Sequence, residues 1–301
     1  MYFCAMRIRN VYIVIATFLL LLSACKGKEE AIPAYIRIDS LAVNVTPEQG
    51  SEIHEIAAVN VYVDEQYLGL FEIPCTIPAL YSGSHKLTLI PSVRLNGANN
   101  QYYTYRHLKN KDTTIFLTPG KITQTSTLAF SYKSNTEFAW VEDFEDNNSS
   151  LIRLFSSKGD TSFISNEDYS LNGHFARKTP CLKVVMSAAD SAKTIDMASF
   201  KYFSGLPMNG SDLMFEFDVK SPLPLQMAMI RKNSSGKQYL PYVYIFETGG
   251  KWKRFYINLI YELYNQPADT EIQLLLSPMK DPGLSGKQEI FFDNIRFSYL
   301  K

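Results

Sequence analysis

Glu289-Ile290-Phe291-Phe292-Asp293-Asn294-Ile295-Arg296-Phe297 closes the chain, and Trp140-Val141-Glu142-Asp143-Phe144-Glu145 stands near its middle. Both are rich in aromatic and β-branched residues, and apolar and polar positions alternate over short distances, as in strands with one face on a core. Working outward, the same reading fits Leu182-Lys183-Val184-Val185, Leu213-Met214-Phe215-Glu216-Phe217-Asp218-Val219, Gly250-Lys251-Trp252-Lys253-Arg254-Phe255-Tyr256-Ile257 and Ile272-Gln273-Leu274-Leu275-Leu276. In the first half it fits Tyr35-Ile36-Arg37-Ile38, Val59-Asn60-Val61-Tyr62-Val63, Lys86-Leu87-Thr88-Leu89-Ile90 and Thr114-Ile115-Phe116-Leu117. Turn residues separate these runs at Thr46-Pro47, Ser82-Gly83-Ser84, Asn96-Gly97 and Pro119-Gly120. Beyond the amino-terminal segment no window of a dozen residues keeps a helical period, and no solenoid-length repeat is present. The pattern predicts an all-β body.

Composition bounds what that body does. In 301 residues, 46% hydrophobic and 13% aromatic content is enough for packed cores. Lys+Arg 30 against Asp+Glu 30 leaves no basic excess, which argues against a nucleic-acid partner. The length suits two domains better than one. The polar joint Ser131-Tyr132-Lys133-Ser134-Asn135 divides them, giving a first unit over 34–133 and a second over 137–301. Cys75 and Cys181 sit in apolar settings and read as small buried hydrophobes rather than a bridge.

The amino terminus carries Arg7 and Arg9, then an apolar run from Val11 to Leu22, shorter than the ~20 residues of a spanning helix. It ends in Leu22-Ser23-Ala24-Cys25, which resembles the bacterial lipobox. That resemblance implies a signal peptide over 1–24, a Cys25 thiol that accepts a diacylglycerol, cleavage before Cys25, and palmitate on the α-amino group so freed. Residues 25–33 then form a lipidated tether. Lys26-Gly27-Lys28-Glu29-Glu30 is similar to the export tags of Bacteroidota surface lipoproteins; a solvated linker is the alternative. The expected location is the outer membrane, on its cell-surface or periplasmic face.

In the first unit, Val61-Tyr62-Val63-Asp64, Leu68-Gly69, Pro74, Ile77-Pro78, Leu80 and Gly83-Ser84-His85 resemble a PEGA-type module. This implies a small immunoglobulin-like β-sandwich, with Asp64 to Gly69 turning a hairpin. Glu65 departs from that pattern, where the motif usually has glycine. The second unit's opening and closing strands resemble those of galactose-binding-like jelly rolls, which include many carbohydrate-binding modules. The fold class expected is therefore two tandem β-sandwiches, the second a jelly roll.

The jelly-roll resemblance implies two candidate sites. A structural calcium ion would tie the first strand to the last through Glu145 and Asp293, with Glu142 or Asp143 as further donors. The alternative is a solvated acidic strand edge. Sugar rings would stack on exposed aromatic residues, for which Tyr239, Tyr242 and Trp252 are the candidates. Period-two logic puts Tyr242, Tyr244 and Phe246 on one face and leaves Tyr239 in a loop; Trp252 reads as core before it reads as a ligand platform. His54, His85, His107 and His174 show no metal spacing, and no nucleophile elbow or phosphate loop occurs. Glu142 and Asp143, adjacent on a strand, point to opposite faces and do not form a glycosidase pair. The expected protein is a non-catalytic envelope lipoprotein that binds glycan, or alternatively an assembly protein contacting partners in an outer-membrane complex.

Overall fold

The computed structural model describes residues 31–98, 100–154, 162–171, 174–188, 193–281, 283 and 285–301. The lipobox, Cys25 included, lies outside the described residues. The body is all-β. Two strand sets follow one another along the chain, each closing a sandwich around its own core.

The first set runs from β1 (Ala34–Ile38) to β10 (Leu128–Ser131). One sheet has the order β4-β3-β6-β7, with β8 also on β6; its strands are β3 (Ile56–Val63), β4 (Gln66–Glu72), β6 (Gly83–Arg94), β7 (Tyr102–Thr104) and β8 (Lys111–Leu117). Facing it are β1 between β5 (Cys75–Ala79) and β9 (Ile122–Gln124), and the pair β2 (Leu41–Asn44) and β10. Alternate residues meet in the middle: Ile36, Ile38, Val59, Val61, Val63, Leu87, Leu89 and Phe130. The β3–β4 turn is Asp64-Glu65, both at positive φ (46° and 68°). Such two-residue turns usually carry glycine. Here the Asp64 carboxylate compensates, accepting from Lys86 N at 2.9 Å and from His85 Nδ1 at 2.6 Å. His85 Nε2 faces Ser82 O at 3.0 Å, so the imidazole is a local brace.

The second set runs from β11 (Thr136–Glu142) to β21 (Lys287–Leu300). Its six-stranded sheet has the order β13-β14-β21-β16-β19, with β11 also on β21; the others are β13 (Ser162–Leu171), β14 (His174–Ser187), β16 (Leu213–Lys220) and β19 (Lys253–Asn258). The five-stranded sheet is β12-β15-β20-β17-β18, built from β12 (Leu151–Arg153), β15 (Met197–Ser199), β20 (Glu271–Pro278), β17 (Leu225–Asn233) and β18 (Gly236–Ile245). A single-turn helix, α1 (Ile260–Leu263), follows β19. Phe215, Phe217, Met227, Met229, Leu274, Leu276, Phe292 and Phe297 fill the space between the sheets.

The two sandwiches are not beads on a string. The outer face of the six-stranded sheet packs against the first sandwich, and Met214 and Tyr256 belong to the first sandwich's core. Asn96 N donates to Tyr256 O at 2.9 Å, and Glu55 N donates to the Tyr256 hydroxyl at 2.9 Å. Gly97, at φ 72°, sits so close to Phe255 that a Cβ there would lie 2.4 Å from the ring, so only glycine fits.

Charged residues line this junction. Arg254 donates to Glu216 Oε2 at 2.8 Å and to Asp218 Oδ1 at 2.9 Å. The Tyr105 hydroxyl of the first sandwich donates to Glu216, and Tyr169 and Asn294 each donate to Asp218 at 2.8 Å. Arg296 lies 3.5 Å from Glu216, donates to the Tyr132 hydroxyl, and reaches Ser51 O at 2.7 Å. All four charged side chains are buried. The two carboxylates respond in opposite ways. Burial opposes ionisation of Glu216, but Arg296 and Arg254 together overcome it and hold the carboxyl below its usual range. Burial leaves Asp218 above its usual range, since Arg254 alone is not enough to offset it. Asp218 is also the cross-strand neighbour of Asp293.

Cys75 and Cys181 are free thiols. Among the described residues, no helix is long and apolar enough to cross a membrane.

Candidate functional site

The outer face of the five-stranded sheet lies on the opposite side of the second sandwich from the sheet that packs against the first. Cross-strand register defines it. Tyr239 stands opposite Ile230, which in turn faces Gln273. One pair along, Pro241, Ala228, Leu275 and Ala198 line up, with Ile152 beyond. The next pairs are Tyr244 with Gln226 and Gln226 with Ser277. Ala198, Ala228, Ile230 and Leu275 form a small apolar floor covered by Leu154 and Tyr202. The uncovered rings lie along β18, the sheet's edge.

A β-bulge sets which rings those are. The β17–β18 register shifts between Met227 and Ala228, leaving Tyr242 as the extra residue. Tyr239 therefore falls within the strand and on the outer face, 49% exposed, with its hydroxyl donating to Gln226 Oε1 at 3.2 Å. This corrects the loop placement read from the sequence. Tyr244 faces outward at 48% exposure and meets Phe246, 72% exposed, edge to face at 5.1 Å. Tyr242 does not share that face: it packs against the sandwich core and donates to Asn258 O at 2.8 Å. Period-two logic failed here because the bulge inserts one residue and reverses every facing beyond it.

Trp252 is a second correction. It lies at the β19 end of the other sheet, 4% exposed, among Ile53, Tyr169, Leu171, Cys181 and Phe291. Its indole N–H donates to Asp168 O at 3.0 Å. It is core and sits on a different sheet from Tyr239.

Glu145 and Asp293 meet at a third residue that sequence reading missed. The Thr179 hydroxyl lies 3.2 Å from Glu145 Oε1, 3.3 Å from Asp293 Oδ2 and 3.2 Å from Pro180 O. One hydroxyl proton faces three acceptors. Burial, with the charge of Asp218 added, pushes the Asp293 carboxyl up to about 8. A cluster of hard oxygens short of positive charge suits calcium in chemistry. Arg177, 3.6 Å from Glu145, partly answers that charge, and no group of three acidic, histidine or cysteine side chains gathers among the described residues. Glu142 serves elsewhere, accepting from Phe144 N at 2.8 Å and from Ser150 N at 2.6 Å. Asp143 accepts from Glu145 N at 3.3 Å, closing a local turn.

No known family's sequence profile matches the chain, and no curated protein matches it. Among solved structures it is similar to carbohydrate-binding modules. One, from a study of the promiscuous specificity of modules from the β-sandwich superfamily, is 15% identical, with 90% of this chain and 99% of that chain covered at a TM-score of 0.37. Another is the C-terminal family 22 module of Clostridium thermocellum Xyn10B: 12% identity, 56% and 96% covered, TM-score 0.36. A third is TmCBM61 in complex with β-1,4-galactotriose: 15% identity, 52% and 92% covered, TM-score 0.33. At such values a shared ligand does not follow from shared shape.

Proposed function

We propose that this protein is a non-catalytic, lipid-anchored envelope protein that binds glycan along β18. The observation that carries the reading is the row of uncovered rings on the outer face. Tyr239 is held in place by Gln226, and Tyr244 is braced by Phe246. Flat apolar faces beside amide groups match what a pyranose presents, namely apolar C–H faces rimmed by hydroxyls. The covered floor between the strands limits the contact to the edge strand, so the ligand lies along a surface strip rather than in a deep cleft. A calcium ion held by Glu145, Asp293 and Thr179 would act structurally, supplying the charge that the buried Asp293 lacks and tying the first strand's end to the last strand. The rigid junction makes the first sandwich a spacer that carries the second away from the anchor.

A glycan-array screen of the full chain in a polyoxyethylene detergent tests this, run with calcium and again with chelator. Binding to a defined glycan class is expected, weakened roughly 2- to 12-fold by Tyr239→Ala if the ring contributes about 0.5–1.5 kcal/mol. Weakening by chelator would support the ion. Absence of binding from folded protein would favour the second reading, in which β18, an edge strand with exposed rings, accepts a strand from a protein partner.

The anchor has its own test. Cys25→Ser should move the protein from the membrane pellet to the soluble fraction in the native host. Continued sedimentation of that variant with membranes would refute the acylation reading.

A further inference from the structure

We infer that the glycan bound along β18 is acidic, its carboxylate received by Lys237 and Lys232; this rests on the glycan reading above. Lys232 on β17 and Lys237 on β18 are directly opposed across the hairpin. Like charges in that position repel and destabilise a strand pair. Both ammonium groups also converge on one ring, that of Tyr202, at 4.9 Å and 6.0 Å from its centroid. A single carboxylate answers the two: Glu271 pairs with Lys232 at 2.7 Å. Among the described residues Lys237 has no carboxylate partner. The Tyr202 ring holds both ammonium groups on this face, and Lys237 is the one of the pair that no carboxylate neutralises among the described residues.

That charge lies beside the proposed stacking platform. Tyr239 stands opposite Ile230, and the Lys237–Lys232 pair stands two residues further along the same strands, hence on the same face. Two residues of strand span roughly 7 Å, about one sugar ring with its exocyclic group. A uronic acid stacked on Tyr239 would bring its carboxylate to the lysine pair. There it gains a charge-assisted hydrogen bond and relieves the repulsion between the two ammonium groups. A neutral sugar would leave the repulsion in place.

The test uses the full chain in the same detergent, with polygalacturonate, alginate and hyaluronate as probes. Each is offered as the free acid and as its methyl ester, which keeps the backbone and removes the charge. The expected result is that at least one free acid binds ten-fold or more tighter than its ester. The preference should shrink as salt is raised and fall three- to ten-fold in Lys237→Gln, a surface change that leaves the fold intact. Equal binding of acid and ester would overturn the inference while leaving the glycan reading standing. So would array binding confined to neutral glycans. Binding of dextran sulfate as tight as that of the acids, and insensitive to Tyr239→Ala, would also overturn it by showing plain attraction to polyanions. Failure to bind any glycan, acidic or neutral, would remove both readings together.

Discussion

Replacing Arg254 with methionine should destabilise the protein by about 3–5 kcal/mol, because it removes the cation paired with buried Asp218 and one of the two cations beside buried Glu216. Glu216 keeps Arg296 at 3.5 Å and the Tyr105 hydroxyl. Asp218 loses the guanidinium paired with it and retains Tyr169 and Asn294, with Asp293 as its cross-strand neighbour. For chains of this size such a loss lowers Tm by roughly 6–20 °C, read by calorimetry. The wild type should unfold in one transition, because Met214 and Tyr256 of the second sandwich's sheet are part of the first sandwich's core. The argument has a built-in control. Adding Asp218→Asn and Glu216→Gln to Arg254→Met removes the stranded charges and should recover much of the stability, since a buried ion pair is weak in net terms even though breaking it is costly. A single variant within about 1 kcal/mol of wild type would mean that the junction tolerates uncompensated charge, and the network would lose its assigned role.

Replacing His107 with phenylalanine should make the protein resist acid. His107 is fully buried, and neither ring nitrogen reaches a hydrogen-bond partner among the described residues. Burial lowers its pKa from 6.5 to about 4, against the pull of the Glu216 and Asp212 carboxylates. The unfolded chain takes up the proton near pH 6.5 while the folded one refuses it until about pH 4. Stability is therefore lost as pH falls through that window and levels off below it. The shift corresponds to about 3 kcal/mol by pH 4. Phenylalanine keeps a ring against Tyr105, which lies 5.2 Å away, and removes both the titration and two unsatisfied polar atoms. The readout is the difference in unfolding free energy between variant and wild type, which cancels titrations common to both. That difference should widen in the variant's favour from pH 7 to pH 4. A constant difference would show that His107 takes its proton at an ordinary pH.

The fold was legible because its signals are local. Alternation in β3, β16 and β21 reports which side chains share a face, and turn residues report where strands stop; neither requires knowledge of the partner strand. The Asp64 hairpin was readable but not its length: the expected turn ran from Asp64 to Gly69, whereas the chain turns at Asp64-Glu65 and Gly69 lies within β4. The oxygen cluster was half legible: Glu145 and Asp293 stand at the two bookends, whereas Thr179 carries no signal of its own.

The stroke of the chain's pattern that misled is instructive at three places. Glu216 and Asp218 alternate with Phe215 and Phe217 as in a strand half in water, yet both are buried. Periodicity says that a face is polar but not what covers it; here the cover is the first sandwich, whose Tyr105 lies 111 residues from Glu216 in sequence. Tyr242 left the face of Tyr244, and Tyr239 proved to be in the strand rather than a loop, because a bulge adds one residue to β18, and a bulge is set by the register with β17 rather than by composition. Trp252, a ligand candidate whose first reading was core, is core, because a large aromatic ring at a strand end takes whichever space its neighbours leave. The sequence by itself determined strands, turns and the two-sandwich order, all of which depend on neighbours a few residues apart. Only the tertiary structure decided which polar faces meet water, because burial depends on residues brought together from distant parts of the chain.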